Sequence, residues 1–316
     1  MAVPKHAYTI VLCLFGDRLV RREWVPVFVQ MAKDLEHFFH LPYRDIRIGL
    51  RGGHSKTYIC MKRNEQKIRA MLARRPRTVS FTAQGKQDHI NDVDYFVDLS
   101  EPRPAAGDFY YRFYFEAAPC VLEKALGPRR PEQFFLDLIC RVNSDLFDVR
   151  YGVVHPLDTR KMPLIYFSAG GSPYLTVLDA ARHAVWRAYS RHYKSLVWWV
   201  AWGNAITRQH LGEAGDELLQ EVAQLVGQER LVEWHPGKYF FTLPMDVLAL
   251  PRSILTFPDA EEAFENQCRE AEKIFARYGR LMPRAELDAV DIACRQRERE
   301  QWLEQDRQRL LEAGES

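Results

Sequence analysis

The feature that most narrows the fold is an order of elements that the apolar pattern repeats three times, most clearly between Leu196 and Leu243. Leu196, Val197, Trp198, Trp199, Val200, Ala201 and Trp202 form an unbroken apolar run stopped by Gly203. Its length and its β-branched and aromatic content predict a buried strand, the central one of the core. Leu218, Leu219, Val222, Leu225 and Val226 then recur at helical spacing. Two short apolar runs, 231–234 and 239–243, flank His235, Pro236, Gly237 and Lys238 as a hairpin turn. The order is strand, helix, hairpin.

The same order opens the chain. Residues 8–15 predict a strand closed by Gly16 and Asp17, and Trp24, Val27, Phe28, Met31, Leu35, Phe38 and Phe39 mark an amphipathic helix with Pro26 in its first turn. Ile46, Ile48 and Leu50 alternate with Arg47 and Arg51, and after a turn at 51–54 a second strand covers 57–61. A basic helix over 64–75, short strands over 78–82 and 93–99, and a linker at 102–107 follow. In the middle of the chain a strand over 109–116 leads to a helix opened by Pro131, then to strands over 149–154 and 163–167 and a helix after Ser172 and Pro173. The third repeat closes with a helix from Pro258 that buries Ala260, Ala263, Phe264, Ala271, Ile274, Phe275 and Tyr278.

Strand, helix, strand, strand, helix is the core of a ferredoxin-like unit, so the expected class is α+β: antiparallel sheets flanked by helices, in tandem units. The expected division is 1–107, a basic N-terminal unit; 108–282, two further units; and 283–316, a charged C-terminal helix with one apolar stripe. With 316 residues, 47% hydrophobic and 27% charged, the chain has material for one large core or two modest ones. No apolar run approaches the roughly 20 residues of a membrane helix, and residues 1–10 lack a signal pattern, so a cytoplasmic protein is expected. The six cysteines show no Cys-x-x-Cys spacing and read as reduced core thiols.

Catalytic spacing is missing: there is no nucleophile elbow, no His-Glu-x-x-His, no dinucleotide fingerprint and no phosphate loop. The expectation is a protein that is not an enzyme and holds no cofactor or metal. Arg51 to Lys56 reads as a hairpin turn rather than an anion cradle. Asp88, His89, Asp92, Asp94 and Asp98 lack the glycine and closing glutamate of a calcium loop and read as a solvated acidic loop. Net charge is +2, with +5 on residues 1–158 and −3 on the remainder. Between Arg44 and Arg77 eleven basic residues face only Asp45 and Glu65. They could hold phosphates with Tyr58 or Phe81 stacking on bases, but a solvated face is the preferred reading. Trp198, Trp199 and Trp202 read as core rather than pocket.

Tyr110 to Phe115, the helix begun by Pro131, Glu132, Gln133, Phe134 and Phe135, and Tyr151 to Val154 resemble, with Trp198 to Asn204, Leu211-Gly212 and the Phe240-Phe241 hairpin, the type VI secretion immunity family. Its members are bacterial proteins encoded beside secreted antibacterial toxins. The resemblance lies in order and spacing across residues 109–278. It implies a binding protein that neutralises a cognate toxin, with no catalytic residues to carry over, and it leaves the basic N-terminal hundred residues without a counterpart in shorter members. A nucleic-acid-binding protein using the 44–77 cluster, or an enzyme with a scattered site, are the alternatives.

A toxin that cuts nucleic acid in the cytoplasm carries a basic groove, and an inhibitor gains association rate by offering carboxylates to it. On the helix from Pro258 the apolar face leaves Asp259, Glu261, Glu262, Glu265 and Glu272 toward solvent, offset nearby by Arg269 and Lys273. These are the first candidate contact residues, and Asp92, Asp94 and Asp98 are the second. The bland alternative is an acidic first turn that complements the helix dipole.

Overall fold

Ten strands hydrogen-bond into one sheet in the computed structural model, which describes residues 8–50, 55–59, 61–84, 93–101, 111–158, 196, 197, 200–250 and 258–282. In chain order they are β1 Tyr8–Leu19, β2 Asp45–Gly49, β3 Ser55–Ile59, β4 Thr78–Gln84, β5 Val93–Ser100, β6 Tyr111–Ala117, β7 Phe147–Asp158, β8 Gly203–Thr207, β9 Leu231–His235 and β10 Lys238–Thr242. The spatial order is β3-β2-β4-β5-β6-β1-β7-β8-β10-β9, and every ladder is antiparallel. The helices are α1 Trp24–Phe39, α2 Glu65–Leu72 after a 3-10 turn at Met61–Asn64, α3 Pro119–Leu126, α4 Pro131–Asp145, α5 Arg208–Leu211, α6 Gly215–Val226 and α7 Pro258–Arg277.

The fold is α+β, and the repeated units share the sheet instead of closing on sheets of their own. The central ladder shows this: β1 lies between β6 and β7, with Leu12 opposite Phe115 on one side and Val154 on the other. Each strand alternates its side chains between the two faces, which places Leu12, Leu14, Phe113, Phe115 and Val154 on one face. There α1 lays Trp24, Phe28, Met31, Leu35 and Phe39 in a buried stripe at helical spacing. Phe28 meets Phe81 and Phe113, Phe39 stacks on Tyr95 at 4.4 Å, and α4 brings Phe134 to Phe115. On the opposite face α7 sets Phe264 against His155 and Phe275 against Phe241, while α5 sets His210 against Tyr151. Helices therefore cover both faces.

One glycine is required by contact. Gly16 stands where β1 slips register against β7, and a Cβ there would lie 2.3 Å from the carbonyl oxygen of Asp148. A side chain would push the two longest strands apart.

The run from Leu196 corrects the expectation of a central strand. Val197 makes a lone parallel bridge to Leu281, and residues 200–202 belong to no strand; the ladder begins at Gly203, with one backbone bond beyond it, from the Leu243 N–H to the Trp202 carbonyl at 2.7 Å. The reason is a side chain: the Asn204 amide accepts from the Ala201 N–H at 2.9 Å and donates to the Ala201 carbonyl at 2.8 Å, replacing ladder bonds. Burial was read correctly, since Val197, Val200, Ala201 and Trp202 are all inaccessible. Trp198, Trp199, the turn at 51–54, the linker at 102–107, the strand at 163–167, the helix after Ser172 and the tail 283–316 lie outside the described residues.

Lys238 also departs from its expected place in the turn. It opens β10, buried, and its ammonium donates to the Asn143 side chain at 2.6 Å, to the Val149 carbonyl at 3.0 Å and to the Asp148 carboxylate. Among the cysteines, Cys13 and Cys268 are buried as expected, and burial pushes the Cys268 thiol up to about 12. Cys140 is half-buried and Cys120 is exposed.

Candidate functional site

The amphipathic pattern of α7 buries Phe264, Cys268, Ala271, Ile274 and Phe275 against the sheet. The far side carries Asp259, Glu262 and Glu265, all exposed. Arg269 sits 3.6 Å from Glu265, and Lys273 takes Glu270 at 2.6 Å, so among the described residues Asp259 and Glu262 have no cationic partner. Four predicted positions differ from expectation, and two of them, Ala260 and Tyr278, are half-buried rather than core. Ala263 is exposed rather than core. Glu272 falls one turn after Cys268, beside the buried stripe, and its carboxylate accepts from the Val200 N–H at 3.5 Å, so it ties α7 inward. The Glu261 side chain and Asp92 lie outside the described residues.

The second candidate set is corrected more strongly. Asp94 and Asp98 belong to β5, not to a solvated loop, and each is 6% exposed. Alternation turns them to the sheet face opposite α1, among Ser100, Arg112, Tyr114 and Glu116. Asp98 accepts from Arg112 and from the Ser100 hydroxyl, each at 2.9 Å, and Tyr114 donates to Glu116 at 2.8 Å. This is a buried polar cluster that fixes strands, and it does not present carboxylates to a partner.

Glu116 is the clearest titrating group in that cluster. Burial pushes its carboxyl above the ordinary 4.5, against the Thr9 and Tyr114 hydroxyls that hold it down. A carboxyl raised in the folded state binds its proton more tightly there than in the unfolded chain. Its burden on stability is therefore absent below 4.5 and grows as pH rises through the folded-state value. Glu116→Gln keeps a partner for Tyr114 and removes the charge. Urea melts at pH 4 and pH 8 are expected to show the variant gaining on the wild type only at the higher pH; an equal difference at both would refute it.

Sequence reasoning missed the neighbouring contribution of α6. Glu213, Asp216 and Glu217 are exposed at the start of that helix, and Glu221 lies at the seam with α7, where it accepts from Tyr278 at 2.7 Å and pairs with Arg277. Arg208 offsets Asp216 at 2.9 Å. The signal was present: these acids lie opposite the Leu218, Val222 and Val226 stripe. With α7 they extend the acidic surface over two packed helices.

Elsewhere, a cleft of about 100 Å³ lies between the start of α4 and the β9–β10 hairpin. Arg230 and Arg130 crowd it by donating to Glu132 at 3.0 and 3.4 Å. It is well short of the roughly 300–1,000 Å³ that a small-molecule site occupies. Among the described residues no group of three or more His, Cys, Asp or Glu is placed to hold a metal ion, and no helix is long and apolar enough to cross a membrane. Tyr58 and Phe81, the rings that a base would stack on, are buried at 6% and 3% exposure.

These features define an α+β protein on one broad antiparallel sheet, with its acidic helices packed side by side on one face. No protein-family model and no curated protein matches the chain. Among solved structures it is similar in fold to the Pseudomonas aeruginosa T6SS protein PA0821, with a TM-score of 0.50 and 12% identity over 90% of this chain and 84% of that one.

Proposed function

We propose that this chain is an immunity protein that binds a cognate type VI secreted toxin, a nuclease acting in the cytoplasm, and neutralises it by stoichiometric complex formation. The observation that carries the reading is the acidic surface of α6 and α7, which complements the basic groove of a protein that handles nucleic acid. The fold likeness to a protein described as belonging to the T6SS supports the same context. The protein performs no chemistry in this reading; it excludes substrate by occupying the groove.

The test replaces Glu217, Glu262 and Glu265 together by lysine and measures binding to the secreted toxin encoded beside this chain. All three side chains are exposed, so the melting temperature is expected to stay nearly unchanged. Affinity is expected to fall at least about tenfold, mostly through a slower association rate at low salt. Wild-type association by the triple variant would remove this face as the interface.

A further inference from the structure

Among the described residues no strand pairs with the outer edge of β3, and Ser55, Lys56, Thr57 and Ile59 are exposed there. An open edge is a row of amide and carbonyl groups able to accept another extended chain. Ile59, 55% exposed, adds an apolar side chain beside it. The 3-10 turn touches β3 and leads straight into α2, so Lys62, Arg63 and Lys67 stand at the same end of the sheet. All three are exposed, and among the described residues none has a carboxylate partner. The carboxylate of Glu65 is already taken by Arg69 at 2.6 Å. Lys56 lies 5.3 Å from the centroid of the Tyr58 ring.

We propose that this basic end of the sheet is a docking surface for an acidic, extended segment of a partner protein, which adds a further strand along β3. Charge complementarity selects the occupant. A single edge lysine is enough to discourage self-pairing, whereas unpaired cations continuing through the turn and α2 attract a chain of opposite sign. They also repel a second copy of the same edge. A single-stranded nucleic acid finds neither Tyr58 nor Phe81 open for stacking, because both rings are buried. The surface is separate from the acidic helices α6 and α7, so the two readings stand or fall independently.

The experiment uses the full chain and three fluorescent probes: the acetylated peptide Glu-Thr-Thr-Glu-Thr-Thr-Glu, its counterpart with proline at every threonine, so that both edges of the strand lose donors, and a short DNA duplex. The two peptides carry the same charge, but proline lacks the amide that a ladder needs. The threonine peptide is expected to bind about tenfold tighter than the proline peptide and to slow hydrogen exchange across residues 55–59. Reversing Lys62, Arg63 and Lys67 to glutamate is expected to weaken it about tenfold, with an unchanged melting temperature. Equal binding of the two peptides, unchanged exchange in β3, or a salt-sensitive duplex complex tighter than the peptide's would overturn the proposal. So would self-association of the chain that disappears in the same variant, which would assign the edge to a second copy.

Discussion

Replacing Trp202 by alanine is expected to lower stability by about 3–5 kcal/mol, measured by urea denaturation. The side chain is inaccessible, and its ring meets Phe135 of α4 edge to face at 6.1 Å. Its indole N–H donates to the Met245 carbonyl at 2.8 Å, so truncation leaves a large void and a buried acceptor without its donor. The residue joins α4, the stretch before β8 and the segment after β10. Trp202→Phe keeps most of the ring contact and loses the hydrogen bond, and its cost is expected to be clearly smaller. A loss of under about 1 kcal/mol in the alanine variant would show that the site collapses freely.

A loss of comparable size is expected from Arg112→Ala. The largely buried Arg112 and the buried Asp98 sit 2.9 Å apart, and removing the cation leaves the Asp98 charge buried without this partner. Breaking a pair of this kind costs about 3–5 kcal/mol, much more than the pair contributes relative to apolar replacements. The discriminating measurement is therefore the double variant, Asp98→Leu with Arg112→Met. It is expected to recover a large part of the loss, because neither residue then leaves a buried charge behind. If the double variant is as unstable as the single one, the cluster fixes the β5–β6 register by more than its charges.

Much of the element order was legible because it rests on periodicity, which local sequence carries directly. The α1 stripe from Trp24 to Phe39, the helix from Pro131 and the 231–242 hairpin all lie where their spacing puts them. How the units join was not legible. Nothing in the residues of β1 says that its neighbours are β6 and β7, since an apolar strand fits between any two others. The run from Leu196 shows a related limit: hydrophobicity reported burial, but a single asparagine amide decided that the backbone there bonds to a side chain.

The exposure of the candidate carboxylates was half legible for the same reason. Glu262 and Glu265 are exposed as expected because a long helix separates its faces clearly. Asp94 and Asp98 were misread because charge is usually taken as a sign of solvent, whereas both face the covered side of β5 and Asp98 finds its partner, Arg112, on another strand. The α6 acids were overlooked because they join those of α7 only through the packing of the two helices, which local spacing does not encode.

The position of β1 also governs how the molecule can be made. Its residues find their partners roughly one hundred and one hundred and forty positions further along the chain. As the protein leaves the ribosome, the strand that will be central emerges early, stays bare on both edges until β6 has followed it, and keeps one bare edge until residue 158. Ile10, Val11, Leu12 and Leu14, all buried in the finished sheet, lack their ladder partners during that interval. Loops this long are closed slowly, and an unpaired apolar strand is the form most open to wrong partners. The central ladder that unites the finished sheet thus makes its assembly late, and a nascent chain stopped before β6 would hold this apolar strand with both edges unpaired.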